Sequence, residues 1–328
     1  MSRWLPVIVA SMLFSLLTSL GATRQTAAEP QAPARFKSAV DVVSVSAVVR
    51  DRKGRFVSDL AQKDFLVVEA GETRQILDFR AESDGPVKVA LLFDVSGSMR
   101  LGTKAANARE AARQVFSALR PSDEAAVFAF DTKLERVKDF TSDFASLEAS
   151  LEHVDPPFGQ TSLYDAVAQT ARAVAGAGRG DGALPQRSAV IVLTDGIDTR
   201  SRLTPEQVTS IASTIDVPVY VVAVRASIDD PRDTDGERAS EISSALRHLS
   251  QWTGGELFTA SAPAHANIAA RQIVDELRHQ YVLAFEASTV RGWRPLQVSA
   301  RNRTLMVRAR AGYNVGGEDG SKFKGQGS

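Results

Sequence analysis

The chain has 328 residues, 44% hydrophobic and 24% charged, the make-up of an ordinary globular protein with room for one large domain or two moderate ones. Its 39 basic residues match 39 acidic ones, so no basic excess marks a nucleic-acid binder. Cysteine is absent, which excludes disulfides, thiolate metal sites, a cysteine nucleophile and the acylated cysteine of a lipoprotein anchor.

The chain opens MSRWLPVIVASMLFSLLTSLGATRQTAAEP. Arg3 precedes an apolar stretch from Trp4 to about Leu20, and small residues follow, with Ala22 or Ala28 at cleavage positions. This is the three-part pattern of a secretory signal. Ser11, Ser15, Thr18 and Ser19 interrupt the stretch, whereas a spanning helix needs about 20 apolar residues. The expectation is a cleaved signal over 1–28, no stable membrane span afterwards, and a secreted or periplasmic protein. Residues 29–35, rich in Ala, Pro and Gln, read as a disordered lead-in.

Residues 36–85 read as β structure. VDVVSVSAVVR has strand chemistry, DRKG turns, and FLVVE and RQILDF form two strands joined at Ala70-Gly71. The character changes at Pro86. VKVALLF is a continuous apolar run, as in a strand covered on both faces. A helix (KAANAREAARQVFSAL), a strand (EAAVFAFD), a shorter alternating strand (LERVKDF), a helix (SLYDAVAQTARAVAGAG) and a strand (SAVIVLTDG) follow. Then come a helix (TPEQVTSIASTI), a strand (VPVYVVAVRAS), a helix over about 239–252, the strand GELFTA and a helix over about 263–279. This alternation over 86–280 predicts right-handed crossovers and a doubly wound, mostly parallel sheet of Rossmann-like form. With LERVKDF counted as the third strand, the expected order is 3-2-1-4-5-6.

Over 281–314, QYVLAFEA, PLQVSA and TLMVRARA read as three strands, and the Gly/Ser-rich tail 315–328 as disordered. Each β flank alone has too few strands for a core. The expectation is one β-sandwich of six or seven strands built from both ends, with the α/β domain inserted between them.

Asp94, in LLFDVSGSMR, ends the first α/β strand, and Asp195, in IVLTDG, ends the third buried one. In an open α/β sheet, ligands bind beyond the carboxyl ends of strands where the order reverses, so these two acids should meet. Ser96 and Ser98 follow Asp94 at a spacing of two, and Thr161 sits at the start of a helix facing the same crevice. Two carboxylates and three hydroxyls, without His or Cys, form a hard oxygen site suited to Mg2+, with Mn2+ or Ca2+ as alternatives. Asp198, Thr199 and Arg200 are candidates for a partner-binding rim.

Other readings compete for these residues. A haloacid-dehalogenase-like phosphatase would need a second Asp where Ser96 stands. A serine hydrolase needs a histidine, and His153, His248, His265 and His279 lie in or beside expected helices. A polar turn without metal is the simplest alternative. GAGRGDG lacks a dinucleotide loop's glycine spacing, and its Arg179-Gly180-Asp181 reads as a chance tripeptide. DDPRDTDGE fails as a Ca2+ loop, with Pro231 at the first ligand position and Ile242 at the twelfth.

DVSGSM, GQTSLYDA and VLTDG resemble the three loops of the metal-ion-dependent adhesion site (MIDAS) of von Willebrand factor type A domains, over about residues 86–280. GRFVSDLAQKDFLVVEAGETRQILDF, LSQWTGGELF, LRHQYVLAF and RARAGY are similar to a bacterial family of secreted von Willebrand A-related proteins. The resemblance implies Mg2+ held directly by Ser96, Ser98 and Thr161, with Asp94 and Asp195 bonded to metal waters. It implies an open position for an Asp or Glu of a protein partner, and hence a non-catalytic adhesion module. The competing expectation is an accessory subunit of an envelope assembly, with contacts made by the β-sandwich and a metal that only stabilises.

Overall fold

A computed structural model describes residues 42–81, 85–154, 159–176, 187–214, 216–225 and 236–316. The signal and lead-in, the Arg179-Gly180-Asp181 loop, most of the acidic loop at 229–237 and nearly all of the tail lie outside these residues.

The chain enters through β1 (Val42–Arg50), β2 (Phe65–Glu69), β3 (Glu72–Arg74) and β4 (Ile76–Arg80). Ala70 (φ 48°) and Gly71 (φ 90°) turn the β2–β3 hairpin in the left-handed region, which Gly adopts without a Cβ clash. The RQILDF run is not one strand. β3 pairs with β2, while β4 pairs with the late strand Gln280–Glu286 of the other sheet, so the chain changes sheets at Gln75. Alternation cannot reveal such a crossing, because each short piece keeps the period of two.

The α/β part follows as β5 (Val87–Asp94), α1 (Lys104–Ala118), β6 (Glu124–Phe130), β7 (Leu134–Thr141), α2 (Phe144–Ser150), α3 (Leu163–Gly176), β8 (Arg187–Thr194), α4 (Pro205–Thr214), β9 (Val219–Val224), α5 (Gly236–Thr253), β10 (Leu257–Ala260) and α6 (Pro263–Arg278). The strands are ordered β10-β9-β8-β5-β6-β7, the expected 3-2-1-4-5-6. Only β7 runs antiparallel. Val89, Leu91 and Phe93 pack under α1 and α6, while Ala90 and Leu92 pack under α3, α4 and α5. Apolar burial on both faces is why β5 reads as an unbroken hydrophobic run. The sequence reading missed α2, a short helix whose N-cap Asp143 accepts from Ser146 N.

The chain closes with β11 (Gln280–Glu286), β12 (Gly292–Ala300), β13 (Met306–Ala309) and β14 (Gly312–Val315). The expected strand TLMVRARA is β13, and GYNV after it forms a further strand, β14, in the other sheet. The two four-stranded sheets are ordered β13-β1-β11-β4 and β14-β12-β2-β3, eight strands rather than six or seven. Both chain ends contribute to each sheet and to the shared core of Val45, Val67, Leu283, Phe285 and Val298. An inward Glu69 is accommodated because Tyr313 Oη (2.6 Å) and Arg74 Nε (2.6 Å) donate to it.

The sandwich is joined to the amino-terminal edge of the parallel sheet. Arg187, at the start of β8, donates to Gln280 O in β11, and Arg50 in β1 pairs with Glu276 in α6 at 2.6 Å. Buried Arg310 donates to Ser213 O and Ser44 O and lies 3.5 Å from Asp216 Oδ1. The carboxyl ends of the strands lie at the opposite edge, away from these contacts.

Candidate metal centre

β5 and β8 are parallel neighbours, with Phe93 opposite Leu193, so Asp94 and Thr194 end side by side. Thr194 Oγ1 donates to Asp94 Oδ2 at 2.5 Å, and Asp94 Oδ1 accepts from Ser96 N at 2.9 Å. The second bond folds the loop back over its own carboxylate. Ser96 then begins a short 3-10 turn, Gly97–Arg100, and its Oγ stands 3.1 Å from Ser98 Oγ. Asp94, Ser96 and Asp195 are buried, and Ser98 is half-buried.

Thr161 comes from the loop before α3. Gly97 N donates to Gly159 O at 3.1 Å, tying that loop to the Asp94–Ser98 loop. From the other side, Thr199 N and Arg200 N both donate to Thr161 O at 2.9 Å, and Thr161 N donates to Thr199 Oγ1 at 2.9 Å. Thr161 is buried, yet among the described residues no hydrogen bond engages its hydroxyl. Its hydroxyl does not cap α3. The first amides of α3 are satisfied from the loop after β8: Leu163 N by Asp198 Oδ1 (2.8 Å), and Tyr164 N (2.9 Å) and Asp165 N (3.2 Å) by Ser201 Oγ.

Of the rim candidates, Asp198 is half-buried and committed to α3, Thr199 is exposed with its backbone and hydroxyl on Thr161, and Arg200 is exposed. Gly196 (φ 87°) turns the chain after Asp195, where a Cβ would stand 2.6 Å from Ile242 Cγ2. Three participants escaped the sequence reading. Thr194 holds Asp94; it was visible as the threonine of LTDG. Gly159 bridges two loops through its backbone, which leaves no sequence signal. Lys104, at the start of α1, places Nζ 3.0 Å from Asp195 Oδ2, and only the fold brings it there.

Burial, then the nearby Asp195 charge, pushes the Asp94 carboxyl up to about 7, against the bonds from Ser96 and Thr194 that favour its ionised form. The cluster thus asks for positive charge. The side chains available to meet it fit a hard cation. All five are oxygen donors. Adjacent ligands of an octahedron with bonds of about 2.1 Å lie about 3 Å apart, and the two serine oxygens are separated by 3.1 Å. Among the described residues, no group of three or more His, Cys, Asp or Glu offers another metal centre.

The chain is similar in structure to several solved proteins at low identity. BatB from Bacteroides thetaiotaomicron is 18% identical, with a TM-score of 0.45 over 58% of this chain and 98% of that one. The von Willebrand factor type A protein from Catenulispora acidiphila is 15% identical, TM-score 0.45, over 87% and 76% of the two chains. Proximal thread matrix protein 1 from the mussel byssus, with a zinc-occupied MIDAS motif, is 18% identical, TM-score 0.45, over 64% and 49%. No curated protein matches the chain. Residues 89–197 match the family model of the von Willebrand factor type A domain, the stretch that runs from β5 through the Asp94, Thr161 and Asp195 loops. The protein therefore carries a von Willebrand factor type A domain.

Proposed function

We propose that the protein is a non-catalytic binding module that captures a protein partner through a divalent cation at this centre. Ser96, Ser98 and Thr161 would hold the ion directly, and Asp94 and Asp195 through water. Mg2+ is the cation the donor set favours, with Mn2+ or Ca2+ as alternatives. The ion would leave one position open to an Asp or Glu of the partner. The observation that carries this reading is the convergence of three loops, by backbone hydrogen bonds, on five oxygen-bearing side chains of which the Thr161 hydroxyl is uncommitted. Without the ion the carboxylates offer an acidic partner nothing to bind; with it, the open position on the metal attracts the partner's carboxylate.

We place the α/β unit at 86–280 and the sandwich at 36–85 with 281–314. The sandwich joins the edge opposite the centre, which favours the metal face over the sandwich as the contact surface. The amino-terminal pattern supports a secreted or periplasmic location, and among the described residues no helix is long and apolar enough to cross a membrane. The test is isothermal calorimetry with Mg2+ and Mn2+, on the wild type and Asp94→Ala. One-site binding that the substitution removes is the expected result. No binding by a folded wild type overturns the reading.

A further inference from the structure

Beside Thr161 lies a cleft of about 620 Å³ whose lining includes Lys133, Gln160, Ser162, Asp165, Arg200 and Arg202. Gln160 and Ser162 flank Thr161 in the chain, so the cleft adjoins the candidate metal centre. Three of its side chains are cationic and exposed. The single acid, Asp165, has its oxygens occupied by the backbone amides of Arg202 (3.1 Å) and Leu203 (2.9 Å). Arg200 donates from Nε to Gln160 Oε1. Among the described residues, Lys133 and Arg202 form no ion pair. In a chain of zero formal charge, three cations against the single Asp165 carboxylate leave this cleft a local excess of positive charge.

The cleft is also pre-formed. Its three segments are tied together through backbone: Ser162 N donates to Asp131 O at 2.7 Å, and Arg200 N to Thr161 O at 2.9 Å. Asp131 Oδ1 fixes the β6–β7 turn by accepting from Lys133 N at 2.9 Å. A ligand entering it would not have to order these loops.

We propose that this cleft binds further acidic side chains of the same partner that supplies the metal-bound carboxylate, so that the module recognises an acidic peptide segment rather than a lone Asp or Glu. The inference rests on the metal-bridge reading. Guanidinium forks and an ammonium beside them match carboxylates in charge and hydrogen-bond geometry. Uncompensated cations at the rim also steer acidic segments toward the ion.

The test is fluorescence anisotropy with two labelled peptides, hexaglutamate and Gly-Ser-Glu-Ser-Gly, in Mg2+ and in EDTA. In Mg2+ the wild type should hold hexaglutamate at least about tenfold more tightly than the single-acid peptide. Lys133→Gln/Arg200→Gln/Arg202→Gln should lose that margin, its affinity for hexaglutamate falling far more than its affinity for the single-acid peptide. Lys133→Arg/Arg200→Lys/Arg202→Lys, which keeps the charge, should retain most of the margin. A wild type that does not prefer hexaglutamate, or a glutamine variant that holds it as tightly as the wild type, overturns the proposal. The metal bridge fails separately, if calorimetry shows no Mg2+ uptake and EDTA changes neither peptide's binding. Salt-sensitive hexaglutamate binding in EDTA that the glutamine variant loses would still support the cleft.

Discussion

Thr194 Oγ1 donates to Asp94 Oδ2 at 2.5 Å across the two central parallel strands. The same oxygen accepts from Gly196 N at 2.9 Å, so one hydroxyl orients the first acid and fixes the turn after the second. Thr194→Val keeps the volume and removes both bonds. Urea unfolding should show a loss of about 2 kcal/mol, because a buried carboxylate and a buried amide each lose a partner. A loss below about 0.5 kcal/mol would mean that Asp94 is held by other contacts.

Asp94 also sets a pH dependence. Its carboxyl is raised from 3.8 to about 7, so the folded, metal-free protein binds a proton that the unfolded chain releases. That contribution favours folding fully below the unfolded value and is lost as pH rises toward 7. In EDTA the melting temperature of the wild type should therefore fall between pH 5 and 7.5 relative to Asp94→Asn. Mg2+ should rescue the wild type alone. Parallel pH profiles for the two proteins would argue against the buried acid pair.

Lys104 Nζ lies 3.0 Å from Asp195 Oδ2 and competes with a cation for the same negative charge. Lys104→Met removes that competitor. Calorimetry should show about tenfold tighter Mg2+ binding, since a unit charge a few ångströms from a divalent ion costs one to several kcal/mol even when well screened. Weaker binding would mean that Lys104 acts by holding Asp195 in place.

Arg310 is a buried link between the α/β unit and the sandwich, joining Ser44, Ser213 and Asp216. Burial raises the carboxyl of Asp216, and Arg310 opposes that shift. Arg310→Met leaves the Asp216 carboxylate without its counter-ion, held only by Ser46, and takes a donor from two carbonyls, so denaturant unfolding should show a loss of about 3–5 kcal/mol. Arg310→Met/Asp216→Asn should recover part of it. If the double variant recovers nothing, the cost lies in the carbonyl contacts.

The architecture was legible where periodicity is long and unambiguous. Apolar runs such as VKVALLF and SAVIVLTDG, alternating with amphipathic helices, dictate a covered parallel sheet, and the strand order followed from the right-handed crossover. Legibility ended where strands become short. RQILDF crosses between sheets, and GYNV, just after the TLMVRARA strand, joins the other sheet; a period of two is blind to which sheet a residue joins. α2 was missed because seven residues give too few turns for a helical period to stand out.

The sequence by itself determined the chemistry available at the candidate centre: oxygen donors only, placed where two buried strands end. Residue type and local spacing suffice for that, because a strand that is apolar to its last residue must present its first polar side chain at the sheet's carboxyl edge. Only the tertiary structure decided what surrounds those donors. It set Thr194 under Asp94, brought Lys104 to Asp195, turned Asp198 inward to the first amide of α3, and gathered Lys133, Arg200 and Arg202 beside Thr161. These partners are separated by tens of residues, and their meeting depends on how packed elements are placed, which no local pattern encodes.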